Sequence, residues 1–306
     1  MILTISLFIV SILLIAVLIA VILILRIVVS IFLNISITAN REESPDVKGE
    51  HVMFKTGDGC TLHGYFIFGQ NSGGKTILFC HEVGAGWGSW YKYASYLPDA
   101  GFNVLTFDFR GHGESTLTNG YKPTPWFTCY EYKDIIAALE YIAARPDVDS
   151  AKIGIFGVSR GGSAAIYCAK KTDLIKAIAV DSTFSTYETM YSYITKWAPI
   201  YIPVKRISPS VIHFLTRLGI IVSQFTTGCR FPRVAKALRK LRIPIFFIHG
   251  ERDNYISVDQ ARKLYSLANE PKDLWTIPRA RHNESVLINP EEYAQRITEF
   301  FNKSFT

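Results

Sequence analysis

A serine stands between two glycines where an apolar, strand-like segment changes into a helical pattern, within Ile153–Ile166 (IGIFGVSRGGSAAI). At such a strand-to-helix turn a serine hydroxyl is lifted out of the sheet and can act as a nucleophile. The pattern G-x-S-x-G arises by chance in about one chain in ten of this length. The alternative interpretation is steric, because a tight corner needs glycines whatever lies between them. The pattern therefore makes Ser159 a candidate nucleophile.

A nucleophilic serine needs a general base, and the base needs a carboxylate that fixes its tautomer. Of the seven histidines, only His282 follows the last predicted strand. The preceding strand leads into a segment with Asp253, the first candidate for the carboxylate. The alternatives are Glu251, Asp259 and Asp181. Serine, aspartate and histidine in this order, each after a strand, predict a catalytic triad; helix capping by Asp253 and an ordinary loop position for His282 are the competing interpretations.

Short apolar strands alternate with helical patterns along most of residues 50–306. This alternation predicts a mostly parallel, twisted sheet with helices on both faces, opened by an antiparallel hairpin over 51–68. In such sheets the chemistry lies at the carboxyl ends of the strands. A phosphate-binding pattern, Gly69–Thr76 (GQNSGGKT), precedes a strand instead of the helix that a phosphate loop needs, which argues against nucleotide hydrolysis. H-E-x-x-H and paired C-x-x-C signatures are absent, and no metal or cofactor is predicted.

The chain begins with a run from Met1 to Leu25 that has no charged side chain and consists mostly of Ile, Leu and Val. A helix of this length exceeds the ~20 residues that span a bilayer. A secretory signal peptide fits less well, because a basic start and a small-residue cleavage site are missing. We therefore predict a single-pass membrane anchor over 1–33 and a polar linker over 34–49. Basic residues begin only at Arg26, so the positive-inside tendency predicts a cytoplasmic main domain, and five unclustered cysteines agree with a reducing side.

The alternation of strands and helices stops in the middle of the chain, where we predict a helical lid insertion over 183–242. Residues 191–250 contain ten Lys or Arg and no Asp or Glu, although the whole chain has 33 basic and 26 acidic residues. Ser208 followed by Pro209 predicts the start of a helix. The basic and apolar composition predicts either a solvated face or a surface that lies on anionic lipid or admits an acyl chain.

Four motifs carry a resemblance to a known family. They are the serine turn, Phe107–Ser115 (FDFRGHGES), Gly250–Asp253 (GERD) and Arg281–Asn283 (RHN). With these motifs, residues 50–301 resemble the α/β-hydrolase superfamily, in particular bacterial serine hydrolases of the serine-aminopeptidase-like and acylaminoacyl-peptidase-like group. The resemblance implies an α/β-hydrolase fold, an acyl-serine intermediate, no cofactor, and structural roles for Asp108 and His112.

The resemblance also implies an oxyanion hole built from two backbone N–H groups. One is that of Arg160, directly after the nucleophile. The other follows a strand that ends at His81, where relatives commonly have His-Gly and this chain has His81-Glu82-Val83, so the predicted second donor is Val83. Arg279–Arg281 is a second departure, since relatives often have glycines there. Its two cations either disfavour an imidazolium or bind an acidic substrate.

These features predict a membrane-anchored serine hydrolase that cleaves an ester, thioester or amide, with Ser159, Asp253 and His282 as its triad. An esterase or lipase acting on apolar acyl chains comes first, because a lid and an anchor both favour apolar substrates. A serine peptidase is the alternative, and a non-catalytic binding protein with the same fold is a further one. The predicted partners are a small-molecule or lipid acyl substrate and the membrane, without nucleic acid.

Overall fold

The computed structural model describes four stretches of the chain, residues 2–33, 47–118, 120–201 and 208–306. The predicted linker lies outside the described residues except for 47–49, and so do residues 202–207 of the predicted lid. The chain divides into two compact units. The smaller unit combines residues up to 36 with 190–227, and the larger unit contains 37–189 and 228–306.

An eight-stranded sheet forms the centre of the larger unit. In chain order its strands are β1 (Glu50–Lys55), β2 (Thr61–Ile67), β3 (Thr76–Cys80), β4 (Asn103–Phe107), β5 (Ile153–Val158), β6 (Ala177–Asp181), β7 (Ile245–Gly250) and β8 (Lys272–Ile277). Their spatial order is β1-β2-β4-β3-β5-β6-β7-β8. β2 is antiparallel to β1 and to β4, and all the other pairs are parallel. The predicted mostly parallel sheet with an opening hairpin is confirmed.

Helices of the larger unit cover both faces of this sheet. In chain order the α-helices of the described residues are α1 (Ile2–Leu33), α2 (Trp90–Ala94), α3 (Glu131–Ala143), α4 (Arg160–Ala169), α5 (Thr186–Tyr201), α6 (Pro209–Thr227), α7 (Val234–Leu238), α8 (Val258–Leu267), α9 (Ser285–Ile288) and α10 (Pro290–Ser304). Two hydrophobic cores result. The first contains residues of α3, α4, α7 and α8, and the second contains residues of α2, α9 and α10. Alternate residues of β3 enter each core, Leu78 the first and Phe79 the second. Strands buried on both faces explain the continuous apolar runs in the sequence.

The smaller unit contains the apolar helix that the sequence predicts. Within the described residues, Thr4–Ser30 is long and apolar enough to cross a membrane, with 27 residues and a mean hydropathy of 3.6. α1 contacts α6, and Gly219 permits their close approach because a Cβ there would lie 2.6 Å from Val28 Cγ1. Residues 228–242, which the sequence analysis includes in the lid, belong to the larger unit. The lid insertion stays a prediction.

Candidate active site

The turn between β5 and α4 holds Ser159 in a strained conformation, with φ 50° and ψ −113°. A positive φ is unfavourable for serine and is maintained only by the surrounding structure. The flanking glycines allow that structure to form. A Cβ at Gly157 would lie 2.6 Å from Gly162 Cα, and one at Gly161 would lie 2.2 Å from Cys80 O. The glycines are therefore a steric requirement of the corner, and the corner is what presents the serine.

The structure brings Ser159, His282 and Asp253 together where β5, β8 and β7 end. His282 Nδ1–H donates to Asp253 Oδ2 at 2.6 Å. The remaining ring nitrogen, Nε2, then carries a lone pair, and the Ser159 hydroxyl lies 3.1 Å from it. The Asp253 side chain is fully buried and that of His282 is 18% exposed. This is the arrangement of nucleophile, base and orienting carboxylate that serine chemistry requires.

Asp253 is held in place by backbone groups and by a buried histidine. Its Oδ1 accepts the N–H groups of Tyr255 and Ile256, each at 2.8 Å. His249 Nε2–H donates to Ile256 O at 2.8 Å and lies 3.4 Å from Asp253 Oδ2. His249 did not enter the predicted site. The sequence signal for this role was the position of His249 at the end of β7, four residues before Asp253.

The three alternative carboxylates have other partners. Glu251 accepts a hydrogen bond from the Thr276 hydroxyl at 2.8 Å, and Asp259 forms an exposed ion pair on α8 at 2.9 Å. In the described part of the chain none of them, Asp181 included, is hydrogen-bonded to His282. The geometry therefore favours the first candidate of the sequence analysis.

Asp181 organises the loop that carries the triad histidine. The hydroxyls of Ser285 and Tyr293 donate to its two carboxylate oxygens at 3.0 Å and 2.9 Å. The Ser182 hydroxyl donates to the same carboxylate and accepts the Asn283 N–H at 3.3 Å. Burial raises the pKa of Asp181. This residue supports the loop and does not orient the imidazole.

The two predicted oxyanion donors follow neighbouring strands. β3 and β5 pair in parallel, with Cys80 opposite Gly157, so the segments that continue them to Val83 and Arg160 begin side by side. Among the described residues, no acceptor takes a hydrogen bond from the backbone N–H of Val83 or of Arg160. Both groups are therefore compatible with binding a developing oxyanion.

Glu82, which stands where relatives commonly have glycine, is accommodated by contacts with Ser89, directly before α2, and with Tyr93 of α2. The Ser89 hydroxyl donates to its Oε2 at 2.7 Å. The Tyr93 hydroxyl lies 3.3 Å from Glu82 Oε1 and 3.4 Å from Asn283 O, next to the triad histidine. Burial raises the pKa of Glu82. Tyr93 thus contacts both Glu82, after β3, and the segment that carries His282.

The side chain of Arg160 is fully buried behind the serine turn. It donates to His112 Nε2 at 3.1 Å and lies 3.6 Å from Glu131 Oε1. Burial, and then the charge of Arg160, lower the pKa of His112 to about 4, so this histidine stays neutral and accepts the hydrogen bond. Asp108 accepts the Trp87 N–H at 2.7 Å. These contacts are structural roles of the kind that the resemblance implies for Asp108 and His112.

Comparisons with known sequences identify one family and several relatives. The alpha/beta hydrolase family matches residues 77–296, a range that includes Ser159, Asp253 and His282. The YfhR protein of Escherichia coli strain K12 is 28% identical over 239 residues, or 76% of this chain and 73% of YfhR. The protein bem46 of Schizosaccharomyces pombe is 27% identical over 257 residues, or 82% of this chain and 76% of bem46.

Solved structures with the same fold include an esterase. The esterase Pf2001 of Pyrococcus furiosus superposes with a TM-score of 0.66 at 23% identity, over 87% of this chain and 97% of the esterase. The alpha/beta hydrolase GrgF of a Penicillium species superposes with a TM-score of 0.65 at 15% identity, over 85% of this chain and 99% of GrgF. At such identities the likeness is one of fold.

Proposed function

The chain belongs to the alpha/beta hydrolase family, and from this premise we propose that it is a membrane-anchored serine esterase. The observation that carries the proposal is the line of contacts from Ser159 Oγ to His282 Nε2 at 3.1 Å and from His282 Nδ1 to Asp253 Oδ2 at 2.6 Å. A merely structural histidine has no need of a carboxylate on one nitrogen and a strained serine on the other.

The proposed reaction has two stages that use the same three side chains. Ser159 Oγ attacks the ester carbonyl carbon while His282 Nε2 takes the hydroxyl proton, and the backbone N–H groups of Val83 and Arg160 stabilise the resulting oxyanion. Collapse of this intermediate breaks the ester bond, and the leaving alkoxide receives the proton from His282. Water then attacks the acyl-serine with His282 again as the base, which releases the carboxylic acid and restores the serine.

An ester is the preferred substrate class for two reasons. A structural neighbour of this chain, the Pyrococcus furiosus protein, is named an esterase. The chain also carries an apolar helix able to span a bilayer, which favours substrates with acyl chains that partition into membranes. A serine peptidase of the same fold is the alternative, and the assay below distinguishes it from an esterase.

Packing within the smaller unit supports retention of α1 as an anchor. α1 contacts α6 around Val28 and Gly219. Removal of α1 as a signal peptide would leave this side of α6 without its partner. We propose that α1 spans the membrane with the larger unit on the cytoplasmic side, the orientation that the basic residues after the apolar run predict.

One side of α6 carries exposed apolar residues at helical spacing, which suits the membrane interface. They are Val211, Phe214, Ile221 and Phe225, with exposed fractions of 46%, 59%, 46% and 85%. A helix with such an apolar stripe is typical of the boundary between headgroups and acyl chains. Because α6 contacts α1, a helix that we propose to span the membrane, α6 lies near the bilayer. The bilayer would then cover the apolar stripe.

A cluster of lysines on the larger unit supports a contact with anionic lipid. Desolvation, and then the positive charges of Lys240, Lys171 and Lys236, lower the pKa of Lys170. Lys170 and Lys171 follow α4, Lys236 belongs to α7, and Lys240 follows α7. Lys236 and Lys240 lie within residues 191–250, which contain no Asp or Glu. Clustered lysines are attracted to an anionic lipid surface. We therefore propose anionic lipid headgroups as the partner of this basic cluster.

The proposed activity is tested with the full chain in detergent micelles. Hydrolysis of p-nitrophenyl esters of increasing acyl length is compared with hydrolysis of aminoacyl p-nitroanilides. We expect ester turnover that Ser159→Ala abolishes. The control is Ser266→Ala, which removes an exposed hydroxyl of α8 that donates to Lys263 O at 2.8 Å and is expected to keep ester turnover. Faster cleavage of the anilides would favour the peptidase, and full turnover by Ser159→Ala would refute the mechanism.

A further inference from the structure

Three side chains with metal-ligating atoms meet on the outer face of the β1–β2 hairpin, outside the proposed active site. They are His51, His63 and Glu114, and their ligating atoms all lie within 4.8 Å of one another. Glu114 Oε2 is 3.4 Å from His63 Nδ1 and 3.9 Å from His51 Nε2. None of the three takes part in the proposed hydrolysis.

The register of the hairpin places both histidines on the same side of the sheet. Met53 pairs with His63, and His51 pairs with Tyr65, so the two histidines are diagonal neighbours across the strands. Their ring centroids are 5.6 Å apart. A search for zinc motifs by short sequence spacing does not find this pair. The two histidines are far apart in the sequence, and the pairing of β1 with β2 brings them together.

The third side chain is held beside His63 by backbone hydrogen bonds. The Asp108 N–H donates to His63 O at 2.9 Å, and the His63 N–H donates to Ser115 Oγ at 3.0 Å. Glu114 lies between these two attachment points, next to Ser115. The loop therefore brings the carboxylate to the imidazole through its main chain.

An unsatisfied nitrogen in this cluster points to a ligand. His63 Nδ1 is buried and makes no hydrogen bond with any described residue. It lies 3.4 Å from Glu114 Oε2 without hydrogen-bond geometry. A buried polar atom without a partner is costly. A neutral imidazole nitrogen in this position is a good ligand for a transition metal.

We propose that His51, His63 and Glu114 bind one divalent transition-metal ion, with zinc as the reference ion. Zinc bonds of ~2.0–2.2 Å in a tetrahedron put neighbouring ligand atoms about 3.4 Å apart. The contact of Glu114 with His63 already has this separation. The contact of Glu114 with His51 requires a movement of about 0.5 Å by tetrahedral geometry, which the 73% exposed Glu114 side chain can supply. The ligating nitrogens of the two histidines lie within 4.8 Å of each other, so the 43% exposed His51 side chain must also turn toward the ion. Two imidazoles and one carboxylate favour zinc and its late first-row neighbours over magnesium or calcium.

The ion has a structural role at the edge of the sheet. β1 is the first strand in the sheet order, and β2 is its neighbour. A metal bound by His51 and Glu114 joins this edge strand to the loop after β4. The same loop carries Asp108 and His112, whose contacts reach Trp87 and Arg160. An ion that binds the folded chain alone stabilises it by mass action.

Metal binding is measured on the full chain in detergent micelles, without a histidine tag and after removal of metals with a chelator. Calorimetric titration with zinc chloride should give one ion per chain. His51→Gln, His63→Gln and Glu114→Gln should each weaken the affinity at least tenfold. The matched control, His213→Gln, removes an exposed histidine of α6 and should bind zinc as the wild type does.

Thermal unfolding gives a second measurement that does not depend on calorimetry. Zinc should raise the unfolding midpoint of the wild type and of His213→Gln. It should raise the midpoints of the three ligand variants by less, because a weaker affinity gives a smaller shift at the same zinc concentration. Absence of zinc binding by the wild type would overturn the proposal. Zinc affinities of all three ligand variants equal to that of the wild type would also overturn it. Zinc that binds the three variants and inhibits their ester turnover would overturn it as well, because that ion would be bound at His282.

Discussion

Each ring nitrogen of His282 has one defined partner, and this determines the direction in which a proton can move. The carboxylate of Asp253 fixes the hydrogen on Nδ1, so Nε2 is free to take the proton of Ser159. The Tyr255 and Ile256 N–H groups hold the carboxylate from the other side. The chemistry proposed here therefore depends on Asp253 accepting, never donating, the hydrogen bond to the imidazole.

The substitution Asp253→Asn tests this dependence. The asparagine NH₂ group donates to Nδ1 and stabilises the wrong tautomer, so kcat on a short-chain ester should fall by about 10⁴-fold, with the unfolding midpoint close to that of the wild type. Glu251→Gln is the control and should keep its turnover, because that side chain bonds to Thr276. The assignment is wrong if Glu251→Gln inactivates the chain and Asp253→Asn does not.

Glu82 gives a prediction about stability and pH. Burial raises its pKa above the ordinary value of 4.5. A carboxyl whose pKa is higher in the folded chain favours folding while protonated, and this contribution is lost as pH rises through the folded pKa. Glu82→Gln keeps a neutral side chain at every pH. Chemical denaturation should therefore show a gain in unfolding free energy over the wild type that grows as the pH rises above 4.5 and levels off once the folded pKa is passed. A difference that does not change with pH would contradict a raised pKa of Glu82.

At the scale of elements, the contact of α4 with the end of β3 determines where the nucleophile lies. The helix begins so close to the strand that a Cβ at Gly161 would lie 2.2 Å from Cys80 O. Neither backbone segment can move without shifting the serine turn or the loop that leads to Val83, the proposed oxyanion donor. The turn therefore requires glycine at this position.

Gly161→Ala should reduce both stability and activity. Overpacking of this kind costs about 1–3 kcal/mol of unfolding free energy, and displacement of the serine turn should lower kcat further. The matched control is Gly57→Ala, where an added Cβ meets nothing within 4 Å. Chemical denaturation and ester turnover of the two variants give the comparison; equal effects of both substitutions would show that the close approach is unimportant.

The elements that the sequence predicts best are those whose pattern is local. The apolar runs of β3 to β7 and the Ser208-Pro209 start of α6 predict the elements found at those places. α2 ends at Ala94, and residues 95–101 continue the chain as turns. A helical pattern in the sequence does not specify where a short helix changes into turns.

The order of serine, aspartate and histidine along the chain was enough to select the three residues that the structure brings together. The contacts of Glu82, the support of Asp253 by His249 and the cluster of His51 with His63 could not be predicted in the same way. They depend on strand register and on loops that meet in space. Sequence spacing does not record such contacts.

At the scale of the whole molecule, the basic cluster predicts a dependence on lipid charge. For the full chain in nanodiscs, amide hydrogen exchange at α7 and the end of α4 should slow in anionic lipid relative to neutral lipid. Salt should remove the difference, because exposed charges are screened over ~10 Å at 0.1 M. Lys236→Glu with Lys240→Glu should remove it too, while turnover of a small ester stays near that of the wild type. Equal exchange in both lipids would favour an acidic substrate as the reason for the charge.

Covalent labelling of the full chain with a fluorophosphonate probe tests the central claim most directly. The probe reacts with a serine hydroxyl only when a neighbouring base activates it, so labelling reports the mechanism without knowledge of the substrate. Intact mass should show one adduct per chain, peptide mapping should locate it on Ser159, and Ser159→Ala should remain unlabelled. A folded wild-type chain that takes no label, or an adduct on another serine that persists in Ser159→Ala, would contradict the assignment of this chain as a serine hydrolase.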